Sequence, residues 1–377
     1  MPRLATLISV ASLTLLTGCC LPQTKATRPF YPIGVYGVNS TNDFVTVRNA
    51  GFNLIVGPAN QAFLDAARAA GLTVLASPNT SAGPTFNAAA AQQAVRKYDA
   101  HPALWAWYLV DEPDFNDVPP EQVVQAHRCL KRAGARKPTA LVLYQGYNAF
   151  HYANLADITL IDRYPIPWLP LANFGQHVTL TRLALGQDKP LIAVIQAFDW
   201  SSCPELLPWE KDFRYPTHEE MRCMTYEALA RGANGLFFYA FENARKHPAT
   251  WEALKAVVKE VNERLPLFQA RPLWWAKKHI FGDPAHRYNA ALESSVTSTL
   301  LRVSAGNDLI PAGDYILAVN NTDRRHEYSF ALPVPQPSTL NPQPIRVLGE
   351  GRCLQSKSNR LQDSFDAYAV HVYGPLP

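Results

Sequence analysis

Several familiar signatures are missing from this 377-residue chain. There is no Cys-x-x-Cys pair and no histidine cluster at ligand spacing, so the sequence gives no support for a zinc site or any other metal. No His-Glu-x-x-His and no Gly-x-Ser-x-Gly occurs, which removes the usual grounds for metalloprotease or serine-hydrolase chemistry. A Gly-x-Gly-x-x-Gly turn and a phosphate-binding loop are absent too, and with them the case for a nucleotide or other cofactor. Charge of one sign is scarce: 35 Lys and Arg stand against 31 Asp and Glu, a formal +4 with no long basic run. That balance offers nothing to nucleic acid.

What is present begins with the first residues. Arg3 precedes a short apolar run, Leu4 to Leu16, too brief for a permanent membrane span. It ends in Leu16-Thr17-Gly18-Cys19, which resembles the lipobox of bacterial lipoproteins. The resemblance implies a signal peptide over 1–18, a lipid on Cys19 and a tethered linker over 19–30. A cell-envelope location follows, and no Asp beside Cys19 argues for retention at the inner membrane, so the outer membrane is the expected destination. A plain signal peptide containing cysteine is the alternative. In an oxidising compartment Cys203 and Cys223, which flank a long loop, could form a disulfide.

From residue 31 to about 265, apolar runs alternate with amphipathic stretches. Ile33–Val38, Asn53–Gly57, Thr73–Ser77, Leu104–Val110, Thr139–Tyr144, Ile158–Ile161, Leu191–Ile195 and Gly235–Tyr239 read as strands buried on both faces. Between them Asp43–Ala50, Gln61–Ala70, Asn87–Ala100, Pro120–Ala133, Val178–Leu185 and Thr217–Arg231 read as helices. Ala50-Gly51 and Ala70-Gly71 are C-cap signals, and Thr217 with Glu220 makes a capping box. An open doubly wound sheet would show the same alternation. The acids, however, gather at the C-terminal ends of several different strands, where a (β/α)₈ TIM barrel keeps its active site. The barrel is the expected fold. Beyond Pro266–Pro272 the strands become short and alternating, which predicts a small C-terminal β-sandwich over 266–377.

The strongest motif is Trp105-Ala106-Trp107-Tyr108-Leu109-Val110-Asp111-Glu112-Pro113. Packing gives no reason for two acids at the end of an apolar strand. The motif resembles the Asn-Glu-Pro that closes strand 4 in clan A glycoside hydrolases, with Asp in place of Asn. That likeness implies that Glu112 is a general acid and that Asp111 holds Glu112 or a sugar hydroxyl. Asp162-Arg163-Tyr164-Pro165 resembles the Asp-x-Tyr-Pro of strand 6 in such proteins, placing Asp162 as a second carboxylate and Tyr164 on the substrate, with Arg163 a partner for an acid. Salt-bridged loop acids, or a strand-end cap at Asp162, are the plain alternatives.

Strand 7 departs from the pattern. Clan A enzymes carry a nucleophilic Glu there, whereas this chain presents Gln196, and an amide cannot form a glycosyl ester. Gln196 is read as a sugar-binding amide, with Asp199, Asp162 or Glu242 as substitutes for the missing carboxylate. Trp107, Trp168, Trp200 and Tyr239 are candidate stacking surfaces; core packing is the better reading for any one of them, with Trp168 and Trp200, in polar, proline-rich loops, the preferred exceptions. A monomeric, lipid-anchored hydrolase of oligo- or polysaccharides is the leading expectation. A barrel that binds glycans without cleaving them is the rival, and Gln196 is the feature favouring it.

Overall fold

The structure is a computed structural model that describes residues 30–78, 86–206, 210–272, 295–332 and 344–376. The apolar leader, the lipobox and Cys19 lie outside these residues. Eight parallel strands close into a barrel in sequence order: β1 Ile33–Val35, β2 Leu54–Pro58, β3 Thr73–Ser77, β4 Leu104–Val110, β5 Thr139–Leu143, β6 Ile158–Asp162, β7 Leu191–Gln196 and β8 Gly235–Tyr239, with β8 pairing back onto β1. The larger helices around it are α1 Phe44–Asn49, α2 Gln61–Ala69, α3 Ala88–Tyr98, α4 Pro120–Arg132, α6 Leu171–Leu185, α7 His218–Ala230 and α9 Pro248–Glu263. The short α5 Ala149–Tyr152, α8 Phe241–Lys246 and α10 Leu265–Phe268 complete the set. All eight expected strands form within a few residues of their predicted limits.

Local chemistry explains the boundaries. Gly51 and Gly71 take positive φ just after α1 and α2, where an αL residue ends a helix at least cost. The Thr217 side chain and the Glu220 carboxylate cap α7 reciprocally. One helix is longer than its pattern suggests. The expected Val178–Leu185 begins seven residues earlier, at Leu171, and carries Gly175 inside it. A Cβ at Gly175 would sit 2.5 Å from Glu227 Oε1, so the glycine lets α6 close on α7.

The barrel interior is filled by Leu54, Leu75, Ala106, Ala140, Val142, Leu160, Ile192, Val194 and Phe237. A Cβ on Gly34 would fall 2.3 Å from the Phe237 ring, so β1 gives up a side chain to admit that ring. Above this plug, toward the C-terminal ends of the strands, Tyr36, Tyr108, Tyr164 and Tyr239 replace the aliphatic residues. The plug is the floor of the site, and the tyrosines are its lower walls.

A β-sandwich follows. β9 Arg271–Pro272, β10 Val296–Val303, β11 Gly313–Asn320, β16 Val370–Tyr373, β13 Ile345–Val347 and β14 Arg352–Leu354 form one antiparallel sheet. β12 His326–Ala331 and β15 Arg360–Phe365 form the other. Leu301, Val303, Tyr315, Leu317 and Val319 join the same apolar core as the barrel helices. Among the described residues no helix is long and apolar enough to cross a membrane.

Candidate active site

The site is built on the end of β4. The register between β4 and β5 slips between Tyr108 and Val110, and such a bulge re-aims the side chains that follow it. Glu112 then takes φ +40, a left-handed conformation that a non-glycine residue adopts only where its surroundings impose it. The surroundings are explicit. The amides of Phe115 and Asn116 donate to the Glu112 carbonyl at 3.0 and 2.9 Å, and the Asn116 side chain donates to the carbonyls of Asp111 and Glu112. The Asp114 carboxylate accepts from the amides of Tyr144 and Gln145 and from the Asn148 side chain, fastening the turn to the segment after β5.

Glu112 is thereby set against Asp162 at the end of β6. Asp162 is only 6% exposed. Its Oδ2 accepts from the Tyr164 hydroxyl at 3.3 Å, while its Oδ1, equally buried, has no donor in the protein. The neighbour it does have is the Glu112 carboxyl, which lies within hydrogen-bonding reach. Two carboxylates can only accept, so this contact becomes a bond when one of them keeps a proton. Burial and mutual repulsion supply the reason to keep it. Burial, followed by the Glu112 charge, pushes Asp162 well above the usual carboxylate range. Burial, opposed by the hydrogen bond from Asp162, carries Glu112 up to about 7.

Asp111 stands on the cleft wall. Its surface is open to solvent, yet protein surrounds the carboxyl in most directions, the situation of a group lining a concavity. That poor solvation raises its proton affinity, against a hydrogen bond from the Tyr108 hydroxyl. No lysine, arginine or histidine among the described residues pairs with Asp111, Glu112 or Asp162. Aromatic rings form the rest of the wall. Tyr239 lies 5.7 Å from both Tyr36 and Tyr164, and Phe198 and Trp200 pack on Tyr164. Trp168, 37% exposed, extends the surface from Trp200 toward Phe213. The Trp200 indole N–H is buried without a partner.

Several expected site residues are elsewhere or otherwise engaged. Gln196 does not reach the cleft: its Oε1 accepts from the Ile166 amide and its Nε2 donates to the carbonyls of Ile166 and Phe198, so the whole amide is spent holding the segment after β6. Asp199 caps the turn at 200–202 by accepting from Ser201. Among the described residues Arg163 pairs with no acid. It lies over the Tyr144 ring at 5.0 Å and donates to Asn173. Glu242 opens α8, half-buried, and the charges acting on Glu112 are those of Asp111 and Asp114 instead. Trp107 is core, its indole donating to Asp99. Cys203 and Cys223 are both free; Cys223 is buried in α7 and donates to the Asn320 carbonyl of the β-sandwich. The sequence reading missed Tyr36 and Tyr108 and the locking pair Asp114 and Asn116. Alternation along β4 could have placed Tyr108 inward beside Ala106, but the bulge breaks the period.

Among the described residues, no group of three or more His, Cys, Asp or Glu side chains is close enough together to hold a metal ion. No protein-family profile matches the chain, and no curated protein matches it in sequence. Solved structures do resemble it. A β-galactosidase from Bacillus circulans sp. alkalophilus aligns over 92% of this chain and 99% of its own, at 9% identity and TM-score 0.60. A glycoside hydrolase family 5 protein from Bacteroides vulgatus aligns over 92% and 89%, at 14% identity and TM-score 0.55. An α-amylase from Geobacillus thermoleovorans, complexed with acarbose, aligns over 91% and 97%, at 9% identity and TM-score 0.52. At these identities what is shared is the architecture: this chain is a TIM barrel followed by a C-terminal β domain, the plan on which those glycoside hydrolases are built.

Proposed function

We propose that the protein is a cell-envelope glycosidase, tethered by a lipid on Cys19, in which Glu112 is the general acid. The observation that carries this reading is the Glu112 carboxyl itself. It projects from a strained turn at the barrel mouth, is held near neutral pH by burial, and faces an aromatic-lined cleft. A carboxylic acid that keeps its proton at neutral pH can protonate a departing glycosidic oxygen.

The geometry also divides the roles of the other acids. Acid and partner stand roughly 5–5.5 Å apart in retaining hydrolysis and roughly 6.5–9.5 Å apart in inverting hydrolysis. Asp162, within hydrogen-bonding reach of Glu112, is nearer than either arrangement allows, so it positions Glu112 and supplies it with a proton-sharing partner. Asp111 is the carboxylate left with an open oxygen, and it activates water. As the leaving group departs, positive charge grows on the sugar carbon, and the ionised acids stabilise that charge.

Glu112→Gln keeps the shape and removes the proton. Release of reducing ends from a panel of polysaccharides should fall by about 10²–10⁴-fold in this variant, with thermal unfolding unchanged. Equal turnover by both proteins would end the assignment. A glycan-binding protein without hydrolysis is the second reading. It draws on β7, where Gln196 and Asp199 are both occupied by backbone and turn, so neither serves as a nucleophile. Binding of a polysaccharide with no product from the wild-type chain would favour it.

A further inference from the structure

The charges around the cleft do not balance. Asp111 and Glu112 end β4, Asp114 sits in the turn behind them, and Asp162 ends β6. The other ionisable groups facing them are the hydroxyls of Tyr36 on β1, Tyr108 on β4, Tyr164 beyond β6 and Tyr239 on β8. Beside Tyr239 lies the Cys203 thiol. Every one of these is neutral or negative. Arg163, next to Asp162 in the chain, is turned onto the Tyr144 ring and Asn173.

A buried acid without a cation is costly, and a protein stabilises it with a proton, an internal ion pair or a ligand. Here the buried Oδ1 of Asp162 accepts from no cation or amide among the described residues, and its one neighbour is another acid. The Tyr239 ring, 5.7 Å by centroid from both Tyr36 and Tyr164, adds with them the second half of a cation site. Their π-faces attract an ammonium placed within about 6 Å, and more strongly where water is excluded. Acid and ring together recognise a protonated amine, while the flanking Trp200 and Trp168 offer a sugar its stacking surface.

We infer that the cleft takes a basic glycan, one whose sugar units carry free protonated amines, in preference to neutral or N-acetylated sugars. This rests on the glycan reading above and names its substrate class. An ammonium beside Asp111 lowers the raised proton affinity of that carboxyl, so binding expels its proton into the buffer while Glu112 keeps its own for the leaving group. A neutral sugar has no such effect.

Isothermal calorimetry on the full chain at neutral pH, in two buffers of different protonation enthalpy, reads both affinity and proton release. The probes are a glucosamine hexasaccharide, its N-acetylated form, the corresponding glucose hexasaccharide, and choline. The basic hexasaccharide should bind at least about tenfold more tightly than the other three and release protons, and Asp111→Asn should erase the preference. Equal binding of the neutral or acetylated sugars, or binding without proton release, overturns the inference while leaving the hydrolase intact. Choline binding as tightly as the hexasaccharide shows a small-amine site and overturns it too. Preference for the basic sugar with no cleavage upholds the inference and ends the hydrolysis reading. Failure of every sugar to bind ends both.

Discussion

At the scale of single residues, the site depends on one carboxyl holding a proton for another. Asp162 is buried, half-satisfied by Tyr164, and completes its hydrogen bonding only through Glu112. As Glu112 must be protonated to act as an acid, kcat/KM should fall as pH rises through about 7. In Asp162→Ala the hydrogen bond that lowers Glu112 is gone, so Glu112 keeps its proton to higher pH. The basic limb of the pH–rate profile should move toward alkali by about one unit. A variant that is slower with its limb unmoved would show that Asp162 only shapes the cleft. Gln196 teaches the complementary lesson. From sequence it is a polar residue at a strand end, and that position alone cannot tell a ligand-binding amide from one saturated by the Ile166 backbone.

At the scale of elements, α7 joins the barrel to the β-sandwich. Arg231, just past the end of α7, and Glu227 are both buried and bonded to each other at 2.6 Å. Arg231 reaches Thr179 on α6 and Thr297 on β10, and Glu227 accepts from Thr297 and Asn321. Removing one member leaves the other charged and stranded, so Arg231→Ala should lower the unfolding free energy in urea by about 3–5 kcal/mol. A loss below about 1 kcal/mol would mean the pair is solvated in solution. The barrel strands were legible in the sequence because a strand buried on both faces is an unbroken apolar run, as in Leu191–Ile195, and nothing competes with that signal. The start of α6 was not, because Gly175 reads as a helix breaker until α7 is seen pressed against it. β10 and β15 were missed; β15 is a short alternating segment whose pairing partner, β12, lies about thirty residues earlier in the chain. Glu112, Asp111 and Asp162 could be named from their motifs. Their contact could not, since it depends on a bulge and a positive φ that no periodicity encodes.

For the whole molecule, barrel and sandwich share one apolar core across the helices, while the strand ends open into an acidic, aromatic mouth. The plan is common to many enzymes, and fold alone never chooses among their functions. What distinguishes this chain is a cluster of acids with no cation paired to it among the described residues, two of which lie within hydrogen-bonding reach of each other. That claim needs no substrate to test. A carbon-detected NMR titration of the side-chain carboxyls should reveal a group that titrates near 7 in the wild-type chain and disappears in Glu112→Gln. If every carboxyl titrates within about one unit of the ordinary range near 4, the two acids do not share a proton and the account of the site fails.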